Sequence, residues 1–162
     1  MKKVNKRLSC YVIALVSTLI LISNLEAATL TVGSNSGSPG TKSISIPINL
    51  TSAAGEKVCG FNFDLNYDSA KLSFKEVTLG SATIEVGKSL SHSQPNSNTI
   101  RVVVVGFNQN VINDGTILTF TFDVLSKAPA GKTELTITKP SLSDPNGKGL
   151  GVKSSEGELQ IR

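Results

Sequence analysis

Few side chains in this 162-residue chain offer themselves to chemistry. The one histidine, His92, stands in "SLSHSQPNSN" beside Ser91 and Ser93. Acyl transfer by a Ser–His pair also needs a nucleophile held on a sharp Gly-framed turn and a third group to orient the imidazole. Neither accompanies this stretch, and an exposed loop histidine is the simpler reading. Asp64, Asp68 and Glu76 are carboxylates of the kind that work in pairs on glycosidic bonds. Asp64, however, projects from a flat strand and Asp68 falls in a turn, so no cleft is implied. "DPNGKG" opens like a calcium loop with Asp144 and Asn146, but Lys148 takes the next ligand position. Ser155 stands where the twelfth-position glutamate belongs, so the segment reads as a β-turn. The residues thus point to no enzyme, no cofactor and no metal.

What remains is a surface. In "GFNFDLNYDSAKLSF" the residues Phe61, Phe63, Leu65 and Tyr67 share one side of an extended chain, and Gly60, Asn62, Asp64 and Asn66 share the other. The first set is a core. The second is what solvent selects on the outer face of an antiparallel sheet, or what a partner would meet.

The elements that hold this surface are strands. Apolar/polar alternation recurs every 8 to 15 residues with turn chemistry between, the pattern of an all-β sandwich or barrel. In "SISIPINLT" Ile44, Ile46, Ile48 and Leu50 alternate with polar residues, and Pro47 predicts a sheet edge or a bulge. "KLSFKEVTL" changes parity between Phe74 and Val77, the mark of a bulge or bend. "ILTFTFDVL" alternates strictly, with Leu118, Phe120, Phe122 and Val124 inward. "TIRVVVVGF" is apolar on both faces. About nine strands and no helix are expected beyond the first residues.

Those first residues read as an export signal. "MKKVNKR" is basic, "YVIALVSTLILI" is apolar but short for a membrane span, and "SNLEAA" offers cleavage after Ala27 or Ala28; the alternative is an uncleaved anchor. The expected division is a signal peptide over residues 1–27 and one domain over 28–162. Of 16 basic and 12 acidic residues, the signal holds Lys2, Lys3, Lys6 and Arg7 against Glu26, so the remainder is close to neutral. A near-neutral domain gives no reason to expect nucleic acid or an anionic membrane as partner. Only Cys59 survives processing, which removes any internal disulfide; its parity with Phe61 predicts a buried thiol.

The order of motifs resembles a family. "LTVGSNSGSPGTKSISIPINLTS", "GFNFDLNYDSAKLSF", "NDGTILTFTFDVLSKAPAGKTELTI" and "SLSDPNGKGLGVKSSEGELQI" follow one another as in cohesin domains, the dockerin-binding modules of cellulosome scaffoldins, over residues 29 to 161. The resemblance implies a nine-stranded β-sandwich of jelly-roll topology. It also implies a dockerin-like protein partner that would itself carry any calcium, and a secreted, extracellular or periplasmic location. On the family's docking plateau it puts Gly60, Asn62 and Asp64, and from the neighbouring strand Val102, Val104 and Gly106, with Val103, Val105 and Phe107 turned inward. Ser91 and His92 fall near the rim. Gly60 and Asn62 replace the Asn and Asp of cellulosomal type I modules, and the chain carries one module, so it looks more like cohesin-type domains outside cellulosomes.

Direct carbohydrate binding is the rival reading. The part after the signal has no Trp and a single Tyr, Tyr67, in core parity, so the stacking platforms usual in sugar sites are lacking. The Asn-rich stretches "SQPNSNT" and "FNQN" are the places where a sugar would bind.

Overall fold

Strands with one apolar face must bury it against another such face, and two packed sheets are the economical solution. The computed structural model describes residues 27–162; the signal expected over residues 1–27 lies, but for its last residue, outside the described part. The elements are β1 (Ala28–Val32), β2 (Asn35–Gly37), β3 (Ile44–Thr51), β4 (Gly60–Asn66), β5 (Leu72–Leu79), α1 (Ser81–Ile84), β6 (Ser89–Asn96), β7 (Thr99–Val105), β8 (Gly115–Val124), β9 (Gly131–Ser143), β10 (Gly149–Leu150), β11 (Val152–Ser155) and β12 (Gly157–Ile161). One sheet runs β11-β1-β3-β8-β5 and the other β2-β12-β9-β4-β7-β6, with β10 paired back onto β9. The architecture is the expected all-β sandwich. Two short outer strands, β11 and β2, pair parallel with β1 and β12, and the ladders inside them are antiparallel. Among the described residues no helix is long and apolar enough to cross a membrane.

The core lies between the sheets. Ile46, Ile48, Phe120 and Phe122 from one sheet face Phe63, Leu65, Ile100 and Leu135 from the other, all but fully buried. Aromatic rings cross the gap: Phe63 and Phe120 have centroids 6.3 Å apart, and Tyr67 and Phe122 5.1 Å, both tilted as ring quadrupoles prefer.

Local irregularities follow the sequence in most places. The parity change in β5 is a register shift between Phe74 and Glu76 against β8. Pro47 does not mark a sheet edge, because β3 lies between β1 and β8. Its missing donor costs little all the same. Pro47 sits where β1 ends, its carbonyl accepts from the Gly33 amide at 2.8 Å, and a bulge follows at Ile48/Asn49. The one departure from all-strand is the four-residue α1. Thr83 is buried there and its Oγ1 lies 2.8 Å from the carbonyls of both Gly80 and Ile117, which share its single hydroxyl proton. A Cβ on Gly80 would run into the Thr116 carbonyl, so this tight entry needs glycine. "DPNGKG" forms the expected turn, with Asp144 Oδ1 accepting from the amides of Asn146 and Lys148, both at 2.8 Å.

Inward and outward valines of β7 should differ sharply in urea unfolding. Val104, with 0% exposure, is expected to lose about 2 kcal/mol on truncation to Ala. Val103, 37% exposed, should change by less than about 0.5 kcal/mol. Equal losses at the two positions would show that the phase assigned to β7 is wrong.

Candidate partner-binding face

In an antiparallel ladder directly opposed residues share a face, so one buried residue sets the phase of its partner strand. Phe61 opposes Val104 and Phe63 opposes Val102 across β4 and β7. Both phenylalanines are in the core, and Val102 and Val104 join them with 0% exposure. The outward placement that the resemblance gave these two valines is therefore reversed. The outward residues of β7 are Arg101, Val103 and Val105, the two valines being 37% and 55% exposed. Phe107, expected inward, is fully exposed. It lies past the end of β7, where strand parity no longer applies. The signal was present in the sequence, since Arg101 next to Ile100 already puts odd-numbered residues outside.

Two further expected site residues move. Gly106 follows the last residue of β7 and packs against the turn before β6; a Cβ there would stand 3.1 Å from Lys88 Cδ. His92 opposes Val102 and so belongs to the inward side of the edge strand β6. Its ring meets Phe74 edge-on with centroids 5.9 Å apart, which places it on the seam between the sheets and off the outer face. Ser89, Ser91 and Ser93, opposite Val105, Val103 and Arg101, are the residues of β6 that share that face.

Asn62 and Asp64 stand where the sequence puts them, on the outer side of β4. Asn62 lies between Val103 of β7 and Ser141 of β9, exposed, and its amide joins no hydrogen bond among the described residues. Gly60 opposes Ser143, and a Cβ on it would lie 3.6 Å from Val105 Cγ1, so its bareness leaves that valine open. Asp64 lies between Arg101 and Thr138. Arg101 grips it in a fork, Nε to Oδ1 at 2.7 Å and Nη2 to Oδ2 at 2.8 Å. Lys139 Nζ approaches Oδ2 at 3.6 Å. The carboxylate is 4% exposed, covered by these cationic side chains and not by the core. The hydrogen bonds and charge of Arg101 hold it below the usual carboxylate range, against the opposing effect of its desolvation.

Beside this face sits a buried cation. Lys88 is 5% exposed, and its ammonium lies 3.0 Å from Asn108 Oδ1, 3.4 Å from Asn108 O and 3.3 Å from Cys59 Sγ. Asn108 in turn donates from Nδ2 to the carbonyls of Val86 and Gly87. Cys59 is thus half-buried against a lysine at the end of the sheet, and not a core residue as its parity suggested. It precedes the first residue of β4, where the alternation is not yet enforced by pairing.

Asn108→Ala should destabilise the fold by about 1–3 kcal/mol, because it strips a buried ammonium of its nearest acceptor; a urea midpoint unchanged from the parent would contradict this. The pH dependence follows from Asp64 and Asp123, the latter held low chiefly by the Ser43 amide and Lys42. The folded chain keeps both ionised at pH values where the unfolded chain binds protons, so stability rises with pH in that range. As far as these two groups decide it, melting temperature should be level from neutral pH down towards the ordinary value of 3.8 and fall as the pH drops below it. Asp64→Asn should make that acid decline shallower.

Comparison with known proteins gives this face a context. The profile of the Cohesin domain matches residues 28–161. No curated protein matches the chain. Among solved structures, the sixth cohesin of scaffoldin B from Acetivibrio cellulolyticus, determined in complex with a mutant Cel5 dockerin, superposes with a TM-score of 0.73 at 19% identity, covering 85% of this chain and 100% of that one. A type I cohesin–dockerin complex from Clostridium thermocellum gives 0.74 at 18% identity, with 85% and 100% covered. The non-cellulosomal cohesin of the hyperthermophilic archaeon Archaeoglobus fulgidus gives 0.72 at 23% identity, with 85% and 92% covered. With a profile match spanning nearly all of the described residues and a sandwich that superposes on these structures, the chain belongs to the cohesin domain family.

Proposed function

We propose that the chain is a non-catalytic attachment module whose outer face on β9-β4-β7-β6 docks a dockerin-like protein, exported and working in an extracellular polysaccharide-degrading or surface assembly. One observation carries the reading. Val103 and Val105 point outward beside the unpaired amide of Asn62, with Phe107 fully exposed at the end of the strand. Contiguous apolar side chains on an otherwise polar, flat face are the composition of a contact surface with an apolar centre and polar rim. Family membership supports the same reading, as do the solved relatives determined with a dockerin bound. A helix laid across the face would cover the valine methyls and take its orientation from Asn62 and the Arg101 fork. Asn62, Asp64, Val103 and Val105 are the contact residues of this reading; Val102, Val104, Gly106 and His92 support them from behind or beside.

A second reading has one observation of its own. Phe107 exposes a whole aromatic ring within "FNQN", next to Asn108, Gln109 and Asn110. An exposed ring beside the amide of Gln109 suits the face of a sugar, so direct polysaccharide binding is the alternative, with the Asn108 amide already engaged by Lys88, Val86 and Gly87.

Calorimetry against calcium-loaded dockerins tests the first reading. Binding should appear and be lost in Val103→Glu and Val105→Glu, which leave the melting temperature within a few degrees of the parent. Undiminished affinity in both variants would remove this face as the docking site. A saturable heat with soluble polysaccharide, abolished by Phe107→Ala, would favour the second reading.

A further inference from the structure

The proposed docking face carries a charge imbalance. The one carboxylate on β4, β7 and β6 is Asp64, and that side chain is 5% exposed, whereas Arg101 is 47% and Lys139 76% exposed. The anion lies beneath and the two cations lie on top. The other outward side chains of these strands near it are neutral: Asn62 and Asn66 on β4, Val103 and Val105 on β7, Ser91 and Ser93 on β6, Thr138 and Ser141 on β9. The next outward carboxylate along β9 is Glu134, roughly 13 Å from Thr138 at the rise of a β-strand. A partner meets a cationic spot one side-chain rung from the exposed valines.

The backbone is arranged to produce this. Asn62 pairs with Ser141 and Asp64 with Thr138, so Lys139 and Pro140 together oppose the single residue Phe63. The bulge places Lys139 in the left-handed region, with φ of 50°, an uncommon conformation for a residue other than glycine. Its effect is to set a second cation, an ammonium, near a carboxylate that Arg101 already satisfies at both oxygens. Arg101 spends two of its five N–H groups on Asp64; among the described residues the other three, and those of the exposed Lys139 ammonium, have no hydrogen-bond acceptor.

We infer that the docking face selects an acidic partner surface: an apolar residue seated on Val103 and Val105, flanked about two residues' distance along the strand by an Asp or Glu that Arg101 and Lys139 bind. This rests on the docking reading above and adds the partner's charge. The carboxylate completes the hydrogen bonds that Asp64 leaves unused, and a basic residue at the same point meets two cations with the compensating anion hidden.

A calcium-loaded library tests it, built on the Cel5 dockerin of Acetivibrio cellulolyticus with its surface helix positions randomised and selected on this protein. Selected clones should be enriched in Asp and Glu. Their affinity should fall as salt is raised, and should weaken about tenfold or more against the neutral variant Asp64→Asn/Arg101→Gln/Lys139→Gln. Lys139→Glu alone, at an exposed position outside the fork, should weaken the same clones and so serves if the triple variant does not fold. Clones that need Val103 but are neutral or rich in Lys and Arg would overturn the acidic partner while leaving docking intact. Selection yielding no clone sensitive to Val103→Glu would overturn the docking reading and this inference with it.

Discussion

Phe63 and Val102 face one another across the β4–β7 ladder, and this contact sets the chemistry of the whole outer surface. A strand has a side-chain period of two, so burying one residue on each of two paired strands decides the side taken by the others. With Phe63 against Phe120 in the core, Val102 is inside, and Arg101, Val103 and Val105 are outside. Shifting β7 by one residue would bury the Arg101 guanidinium and expose Ile100 in its place. That alternative strands an unpaired charge in an apolar core, which is why this register is strongly specified even though four consecutive valines look interchangeable.

The same constraint explains how much the sequence reveals. Strict alternation in β3, β4 and β8 can be read directly, and Ile46, Phe63 and Phe120 are buried as their parity demands. The break of parity in β5 signals its bulge just as directly. The valine run resists such reading because its apolar residues occupy both parities; only the flanking Ile100 and Arg101 hold the phase, and the bulky Phe107 beyond the strand end suggests the opposite. Other features depend on contacts far apart in the chain. Lys88 is buried because Asn108 reaches it from a loop, and Lys139 reaches the outer face because a bulge opposite Phe63 redirects it. Nothing local to Lys88 or Lys139 announces either.

Charge is handled on two scales. Within the fold, the two buried aspartates have cations at hand: Asp64 has Arg101 and Lys139, and Asp123 has Lys42 and Lys75. Asp123 also accepts from the Ser43 amide, where the backbone adopts a φ of 56° before entering β3. On the surface the two groups differ. Asp123 braces the start of a strand, whereas Asp64 lies among exposed apolar and amide groups, so the same arrangement of anion below cation becomes part of the proposed docking surface.

The margins of the sandwich carry a last consequence. On one flank, the short parallel strands β11 and β2 occupy the borders beside β1 and β12. On the other, β6 is serine-rich and contains Pro95, β5 is kinked by its bulge, and the His92 ring leans on Phe74 between them. Unpaired strand borders recruit foreign strands when they are long, flat and regular, and none of these is. Side-by-side strand addition between copies is thereby discouraged, so several such modules can crowd together without fusing into a continuous sheet.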